Sequence, residues 1–344
     1  MSVVENIRDT HDISLEELRQ ILTTDDSEAI ETLRAAAREE ADRVYGKSVF
    51  VRGLIELSSF CRNDCLYCGL RRSNDQAVRY RLSEEQIYQC CEKGYRLGFR
   101  TFVLQGGEDG WFTDERLVPM VANIRRRFPD CAITLSLGER SRESYQALYD
   151  AGANRYLLRH ETADAGHYAR LHPAEMSWQH RIDCLMQMKE IGYQVGCGFM
   201  VGSPYQTVET LFKDLQFIRQ LQPHMVGIGP FVSTHNTPFE NYPNGKVETT
   251  LRLLSIIRLL HTQVLLPATT ALGTLHPQGR EKGILAGANV VMPNLSPIDH
   301  RKDYAIYDNK ICTGEEAAEC QACIEHRMRR IGYEPVVDRG DYKE

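Results

Sequence analysis

Apolar and polar positions along the chain switch repeatedly between two periods. The run Val51-Arg-Gly-Leu-Ile-Glu-Leu-Ser58 reads as a strand, and after it helical repeats alternate with short strand-like runs. The period of 3.6 predicts helices at Ser83–Leu97, Asp114–Arg127, Ser141–Ala151, Ser177–Ile191, Val208–Leu221, Glu248–His261 and Arg280–Ala286. Between them, strands are predicted at Thr101–Gln105, Ala132–Ser136, Arg155–Leu158, Gln194–Val201, Met225–Ile228, Leu265–Thr269 and Asn289–Met292. Counted with the first run these make eight strands in the rhythm of parallel βα units, which predicts an α/β fold of the (β/α)8 TIM-barrel class. A doubly wound open sheet is the rival, but its first turn would carry a glycine-rich phosphate loop, and here that turn holds cysteines.

Helix patterns over Ser14–Tyr45 precede the barrel, with Leu15, Leu18, Ile21 and Leu22 at helical spacing. The expected division is an N-terminal helical extension at 1–46, a barrel at 47–300 and a cysteine-containing tail at 301–344 packed on it. The length of 344 residues alone would equally suit two ordinary domains. A net charge of -6 and the absence of a long basic run argue against a general nucleic-acid binder. No apolar stretch approaches the roughly 20 residues of a membrane helix, and the acidic start lacks the pattern of a signal peptide. Eleven cysteines, an odd number, fit reduced thiols rather than a disulfide framework, so a cytoplasmic protein is expected.

The chemistry begins directly after the first strand, at Cys61-Arg-Asn-Asp-Cys-Leu-Tyr-Cys-Gly69. Three thiolates on one short loop, spaced C-x3-C-x2-C, can hold three corners of a [4Fe-4S] cluster and leave one iron without a protein ligand. Zinc fits poorly, because no fourth Cys or His lies near to close a tetrahedral site. Cys61, Cys65 and Cys68 are therefore the first metal-ligating and catalytic candidates.

In a barrel, functional residues gather at the carboxyl ends of the strands. Strand two ends in Gln105-Gly-Gly-Glu-Asp109, where Gly106 and Gly107 let backbone approach a ligand closely. Strand three presents Thr134 and Ser136 on one face. Strand four continues through Arg159, His160 and Glu161, with Arg159 and Glu161 sharing a face, either as a structural ion pair or as a carboxylate clamp and a polar acceptor. Arg181 is either solvated helix surface or a group reaching back over the mouth. Val226-Gly-Ile-Gly-Pro-Phe231 offers close backbone approach to a ligand, and Pro267-Ala-Thr-Thr-Ala271 brings two hydroxyls, Thr269 and Thr270. Met225 and Met292 read as interior packing. A second trio, Cys312, Cys320 and Cys323, is open to an accessory iron-sulfur cluster, a zinc ion or three reduced thiols. Cys90, Cys91, Cys131, Cys184 and Cys197 lack partner spacing and read as core residues.

Taken together, the cysteine loop, Leu104-Gln-Gly-Gly-Glu-Asp109, Leu135-Ser-Leu-Gly-Glu139, Tyr156-Leu-Leu-Arg-His-Glu-Thr162, Gly227-Ile-Gly-Pro-Phe231 and Pro267-Ala-Thr-Thr-Ala271 resemble the HydE family, radical S-adenosylmethionine maturases of [FeFe]-hydrogenase. The likeness spans about Ile55 to Cys323. It implies that Cys61, Cys65 and Cys68 hold the catalytic [4Fe-4S] cluster and that the open iron chelates S-adenosylmethionine. It implies contacts to S-adenosylmethionine from the Gly106-Gly107 turn, Ser136, Glu161, Arg181 and Tyr304. Thr134, Arg159, Thr269 and Thr270 would line an anionic-substrate pocket, Arg159 also counting among the catalytic candidates. Cys312, Cys320 and Cys323 would hold an optional accessory [2Fe-2S] or [4Fe-4S] cluster. Gly106 departs from the pattern, which carries serine there. A small sulfur-bearing or iron-cysteine substrate, a reducing electron donor and contact with other hydrogenase maturases are the implied partners, with no nucleic acid and no membrane. Enzymes like methylornithine synthase or biotin synthase are the alternatives, although auxiliary ligands on barrel strands, as in biotin synthase, are not found at matching positions. A non-catalytic iron-sulfur electron carrier is the alternative of another class.

Overall fold

Described as a computed structural model over residues 3–314 and 317–343, the chain builds its centre from parallel strands. The strands are β1 (Ser48–Val51), β2 (Gly53–Ser58), β3 (Thr101–Gly106), β4 (Ala132–Ser136), β5 (Arg155–Leu157), β6 (Gln194–Cys197), β7 (Met200–Val201), β8 (Met225–Val226), β9 (Gly229–Pro230), β10 (Val290–Val291) and β11 (Glu334–Val336). One sheet runs β2-β3-β4-β5-β6-β8, all parallel. Single parallel bridges, Met225 to Leu265, Pro267 to Val290 and Leu54 to Asn294, carry the pairing on and back to β2. The ring thus closes after eight units, which excludes the open doubly wound sheet.

Met225–Ile228 and Asn289–Met292 shrink to two residues each, Arg155–Leu158 loses its last residue, and three further expected strands are shorter or broken for local reasons. Leu265–Thr269 pairs only at single bridges, since Pro267 has no N–H to give a ladder. Gln194–Val201 splits into β6 and β7 at Gly198 (φ 153), where an added Cβ would lie 2.0 Å from Gly227 O. The first expected strand loses its start to β1, which pairs with β10 and β11 instead.

Helices cover the outside. Ser83 and Gln86 form the reciprocal capping box that opens Glu84–Arg96, and Asp114–Arg127 and Val208–Leu221 have the expected bounds. Helices Ala165–Leu171, Thr270–Leu275 and Ala317–Arg330 were not anticipated; the first two are too short for a periodic signal. The N-terminal helices Val3–Thr10, Leu15–Thr23 and Ser27–Tyr45 pack on Val247–Leu260 and Val208–Leu221. Arg252 Nη1 donates to Ile21 O and Thr24 O at 2.8 and 2.9 Å, satisfying carbonyls at the end of the second helix.

The two ends of the barrel differ. At the amino end of the strands, Thr101 Oγ1 donates to Arg339 O at 2.7 Å, and Arg155 Nη2 to Arg339 O and Gly340 O at 3.0 and 3.1 Å. Arg339 and Gly340 therefore plug the floor. At the carboxyl end, the cysteine loop and residues near 304–310 meet: the Gly69 N–H donates to Ile306 O at 3.0 Å. Cys90, Cys91, Cys131, Cys184 and Cys197 are all buried core residues.

Candidate active site

The loop after β2 is stapled from two sides. Asp64 accepts from Arg71 Nε and Nη2 at 2.9 and 2.8 Å and from the Ser73 N–H at 3.0 Å. Arg79 donates to four carbonyls, those of Ser59, Leu70, Arg71 and Asn74, at 2.5 to 3.1 Å. Such charge-assisted bonds hold a turn-rich loop that has no ladder of its own. Tyr67 of the same loop is anchored at its hydroxyl, 3.1 Å from His172 Nε2, while His172 Nδ1 lies 3.0 Å from Tyr168 O. Burial pushes His172 down to about 3, so the ring is neutral and Nε2 accepts the Tyr67 proton.

Cys61, Cys65 and Cys68 share this loop and one electrostatic neighbourhood. Burial pushes the Cys68 thiol up to about 12, with Cys61 adding to the rise, and raises Cys65 well above its usual value, with Cys68 and Cys61 adding. Thiols that raise one another's pKa in this way ionise together only when a cation takes the place of their protons. Among the described residues, no three His, Cys, Asp or Glu side chains already converge as around an ion, the two cysteine trios included.

The Gly-Gly-Glu-Asp turn after β3 is bolted to the loop. Glu108 Oε2 accepts from Arg62 Nε at 3.2 Å, and Asp109 accepts from Ser58 Oγ and Arg81 Nε at 2.7 and 2.6 Å. At Gly107 a Cβ would lie 2.2 Å from Phe60 O and 2.8 Å from Cys61 Cβ, so only glycine fits. Gly106 is open by comparison, its nearest neighbour 3.4 Å away.

Alternation places the interior set. Ile133 and Leu135 of β4 join the main apolar cluster with Leu117, Val121 and Ile124 of the covering helix, which leaves Thr134 and Ser136 on the inner face. Thr134 Oγ1 and Thr269 Oγ1 are buried with no hydrogen-bond partner in the protein. Arg159 and Glu161 face each other, Nη2 to Oε2 at 3.4 Å, yet Arg159 Nε and Glu161 Oε2 also lack a hydrogen bond. Buried polar atoms left in this way fit a polar ligand that supplies the missing partners. Thr270 opens the helix Thr270–Leu275 beside Thr269. The Tyr304 hydroxyl accepts from Gln105 Nε2 at 3.3 Å, and Gln105 is in register with Ser136.

Arg181 is buried rather than solvated. It pairs with Glu139 at 2.8 Å and lies 3.8 Å from Glu108. Burial works against its charge, but these carboxylates more than offset that and raise its pKa. Glu108, Glu139, Asp64 and Arg79 were not singled out from the sequence, because a charged side chain in a loop carries no periodic signal. Glu108 and Glu139 did fall inside quoted motifs, which was the available hint.

The second trio differs from the first. Cys320 is buried and Cys323 exposed on helix Ala317–Arg330, and Cys312 Sγ sits 3.6 Å from Arg280 Nη1.

A family model, the Radical SAM superfamily, matches residues 55–218. Over 328 residues, covering 95% of this chain and 93% of the relative, the chain is 40% identical to the [FeFe] hydrogenase maturase subunit HydE of Thermotoga maritima. The chain belongs to the HydE family. HydE-family membership makes it a radical SAM enzyme, and with it come a [4Fe-4S] cluster, S-adenosylmethionine, a small-molecule substrate and an electron donor. The three-thiol loop, the glycine cradle and the unpartnered interior atoms fit those groups. The 3-methylornithine synthase of Methanosarcina acetivorans is 28% identical over 334 residues, covering 96% of this chain and 93% of that one. The crystal structure of methylornithine synthase superposes with a TM-score of 0.87 at 26% identity, covering 97% of each chain. Among the described residues of this HydE-family chain, no helix is long and apolar enough to cross a membrane.

Proposed function

We propose that this enzyme takes part in assembling the active-site cluster of [FeFe]-hydrogenase, acting on a small sulfur-containing or iron-cysteine substrate inside the barrel. The observation that carries the reading is the 40% identity to HydE over 95% of the chain, joined to an interior whose buried hydroxyls and arginine await a polar guest. Cys61, Cys65 and Cys68 would hold the [4Fe-4S] cluster, and Ser136, Glu161, Arg181, Tyr304 and the Gly106-Gly107 turn would bind S-adenosylmethionine. When bound, these groups supply an electron and a 5′-deoxyadenosyl radical.

The chain's own residues do the rest. Gly107 brings the turn after β3 against the cysteine loop, so polar backbone groups stand beside the thiols. Arg159, together with Thr134, Thr269 and Thr270, would fix an anionic substrate group. The residues near 304–310 cover the mouth and exclude water, which protects a reactive intermediate from quenching.

Cys312, Cys320 and Cys323 would hold an accessory cluster that turnover does not need. The thiols of Cys320 and Cys323, three residues apart on one helix, support the site. Contacts with other hydrogenase maturases would hand on the product. Eleven cysteines, none in a disulfide among the described residues, support a reducing, cytoplasmic setting.

A second reading, a methylornithine synthase-like enzyme, is favoured by the TM-score of 0.87 to that structure. One experiment separates them. Anaerobically reconstituted protein is tested for 5′-deoxyadenosine formation, and the gene is placed in cells that lack only HydE. Restored hydrogenase activity is expected; 5′-deoxyadenosine without restoration, accompanied by methylornithine, would favour the second reading, and no 5′-deoxyadenosine at all would leave an electron carrier.

A further inference from the structure

Beyond β5 the chain runs on through Arg159, His160 and Glu161, and Glu161 adopts φ 64, left-handed backbone that a residue with a side chain enters at a cost. Four contacts surround it. The Glu161 N–H donates to Gly198 O at 3.1 Å. One residue earlier, His160 Nδ1 accepts the Gly198 N–H at 3.3 Å, which leaves Nε2 to carry the ring proton, and Nε2 faces Asp214 Oδ1 at 3.3 Å. Two residues later, the Ala163 N–H donates to the same Oδ1 at 2.6 Å. The Asp214 carboxylate thus faces the His160 ring on one side of Glu161 and accepts the Ala163 backbone N–H on the other.

The placement of that carboxylate is out of pattern. Asp214 and His160 are both 0% exposed. Asp214 lies on the inner face of Val208–Leu221, among Leu211, Leu215 and Ile218, and the His160 ring packs on Phe217 at 4.8 Å between centroids. Burial raises the Asp214 pKa, with His160 pulling the other way. A buried charge or polar group at such a position costs stability unless its contacts are used. Gly198 is equally constrained, since any side chain would meet Gly227 O.

We propose that His160 and Asp214 form a positioning pair that holds Glu161 in its left-handed conformation and thereby sets the affinity for S-adenosylmethionine. The pair touches neither cofactor nor substrate; it acts through Glu161, and the proposal rests on the reading of Glu161 as a contact to S-adenosylmethionine.

Reconstituted holoenzymes of His160→Ala, Asp214→Asn and Glu161→Gln are titrated with S-adenosylmethionine while 5′-deoxyadenosine is followed. Iron content and thermal unfolding are measured on the same samples. The KM for S-adenosylmethionine is expected to rise about tenfold in His160→Ala and in Asp214→Asn, with kcat changed less and iron retained. The double variant is expected to be no worse than the singles, because the two side chains act as one unit. His160→Asn, whose amide oxygen can accept the Gly198 N–H, is expected to recover part of the loss. A wild-type KM in folded, iron-loaded His160→Ala and Asp214→Asn overturns the proposal. If His160→Ala fails to fold, Asp214→Asn decides, since its amide oxygen still accepts from Ala163. A raised KM in Glu161→Gln alone would sink only the pair; an unchanged KM in Glu161→Gln would sink the reading of Glu161 and the pair with it.

Discussion

Lys310 Nζ meets Glu56 Oε1 at 2.5 Å within the barrel, joining a residue of the tail to the first barrel strand, and Asn294 Nδ2 donates to the other oxygen at 2.7 Å. Burial raises the Glu56 pKa above its usual 4.5, while Lys310 and Asn294 hold it back. Lys310→Met removes the cation and also the donor to Tyr304 O. The expected loss is about 3 kcal/mol at pH 8, because a buried carboxylate is left without its partner. A raised folded pKa means that the unfolded chain ionises first, so stability falls as pH rises through the window above 4.5. The variant raises that pKa further, so its penalty should shrink at pH 5; urea unfolding at both pH values tests this, and an equal penalty would count against it.

Acid should act on Tyr67 through His172. The folded ring is neutral down to about pH 3, whereas an unfolded histidine takes up a proton near 6.5. Its contribution is therefore complete above pH 6.5 and is lost as pH falls, by roughly 1.4 kcal/mol per unit. His172→Gln, which does not titrate, should show a shallower fall in stability between pH 6.5 and 5 than wild type. Parallel curves would exclude the effect.

The two neighbouring glycines should behave oppositely. Gly107→Ala drives a methyl into Phe60 O at 2.2 Å and is expected to displace the cysteine loop, losing most bound iron after reconstitution. Gly106→Ser meets Leu137 Cδ2 at an ordinary 3.4 Å and should keep iron content within about twofold of wild type. Iron assay and visible absorption read both.

The cysteine trios should separate cleanly. Cys65→Ala is expected to abolish 5′-deoxyadenosine formation, since its thiol shares the neighbourhood of Cys61 and Cys68. Cys320→Ala should retain most of it, at a stability cost of about 1 kcal/mol for a small buried group. Equal loss of activity in both would reverse this ranking.

Strand and helix rhythm, the cysteine loop and the glycine turn were legible because their signals are local: a period, a spacing, a residue type. The strand at Leu265–Thr269 was over-read, since Pro267 weakens the ladder that alternation alone suggested. Arg181, for which solvated surface was the plainer alternative, proved buried because its helix lays it against Glu139, a residue 42 positions earlier.

By itself the sequence determined the eight-unit ring and the place of its thiols, since short-range pattern governs both. Only tertiary structure decided which charges meet. Asp214 with His160, Lys310 with Glu56 and Gly340 with Arg155 are joined across 54, 254 and 185 residues. Closure of the ring, rather than any local preference, brings those groups into one low-dielectric interior where each needs a partner.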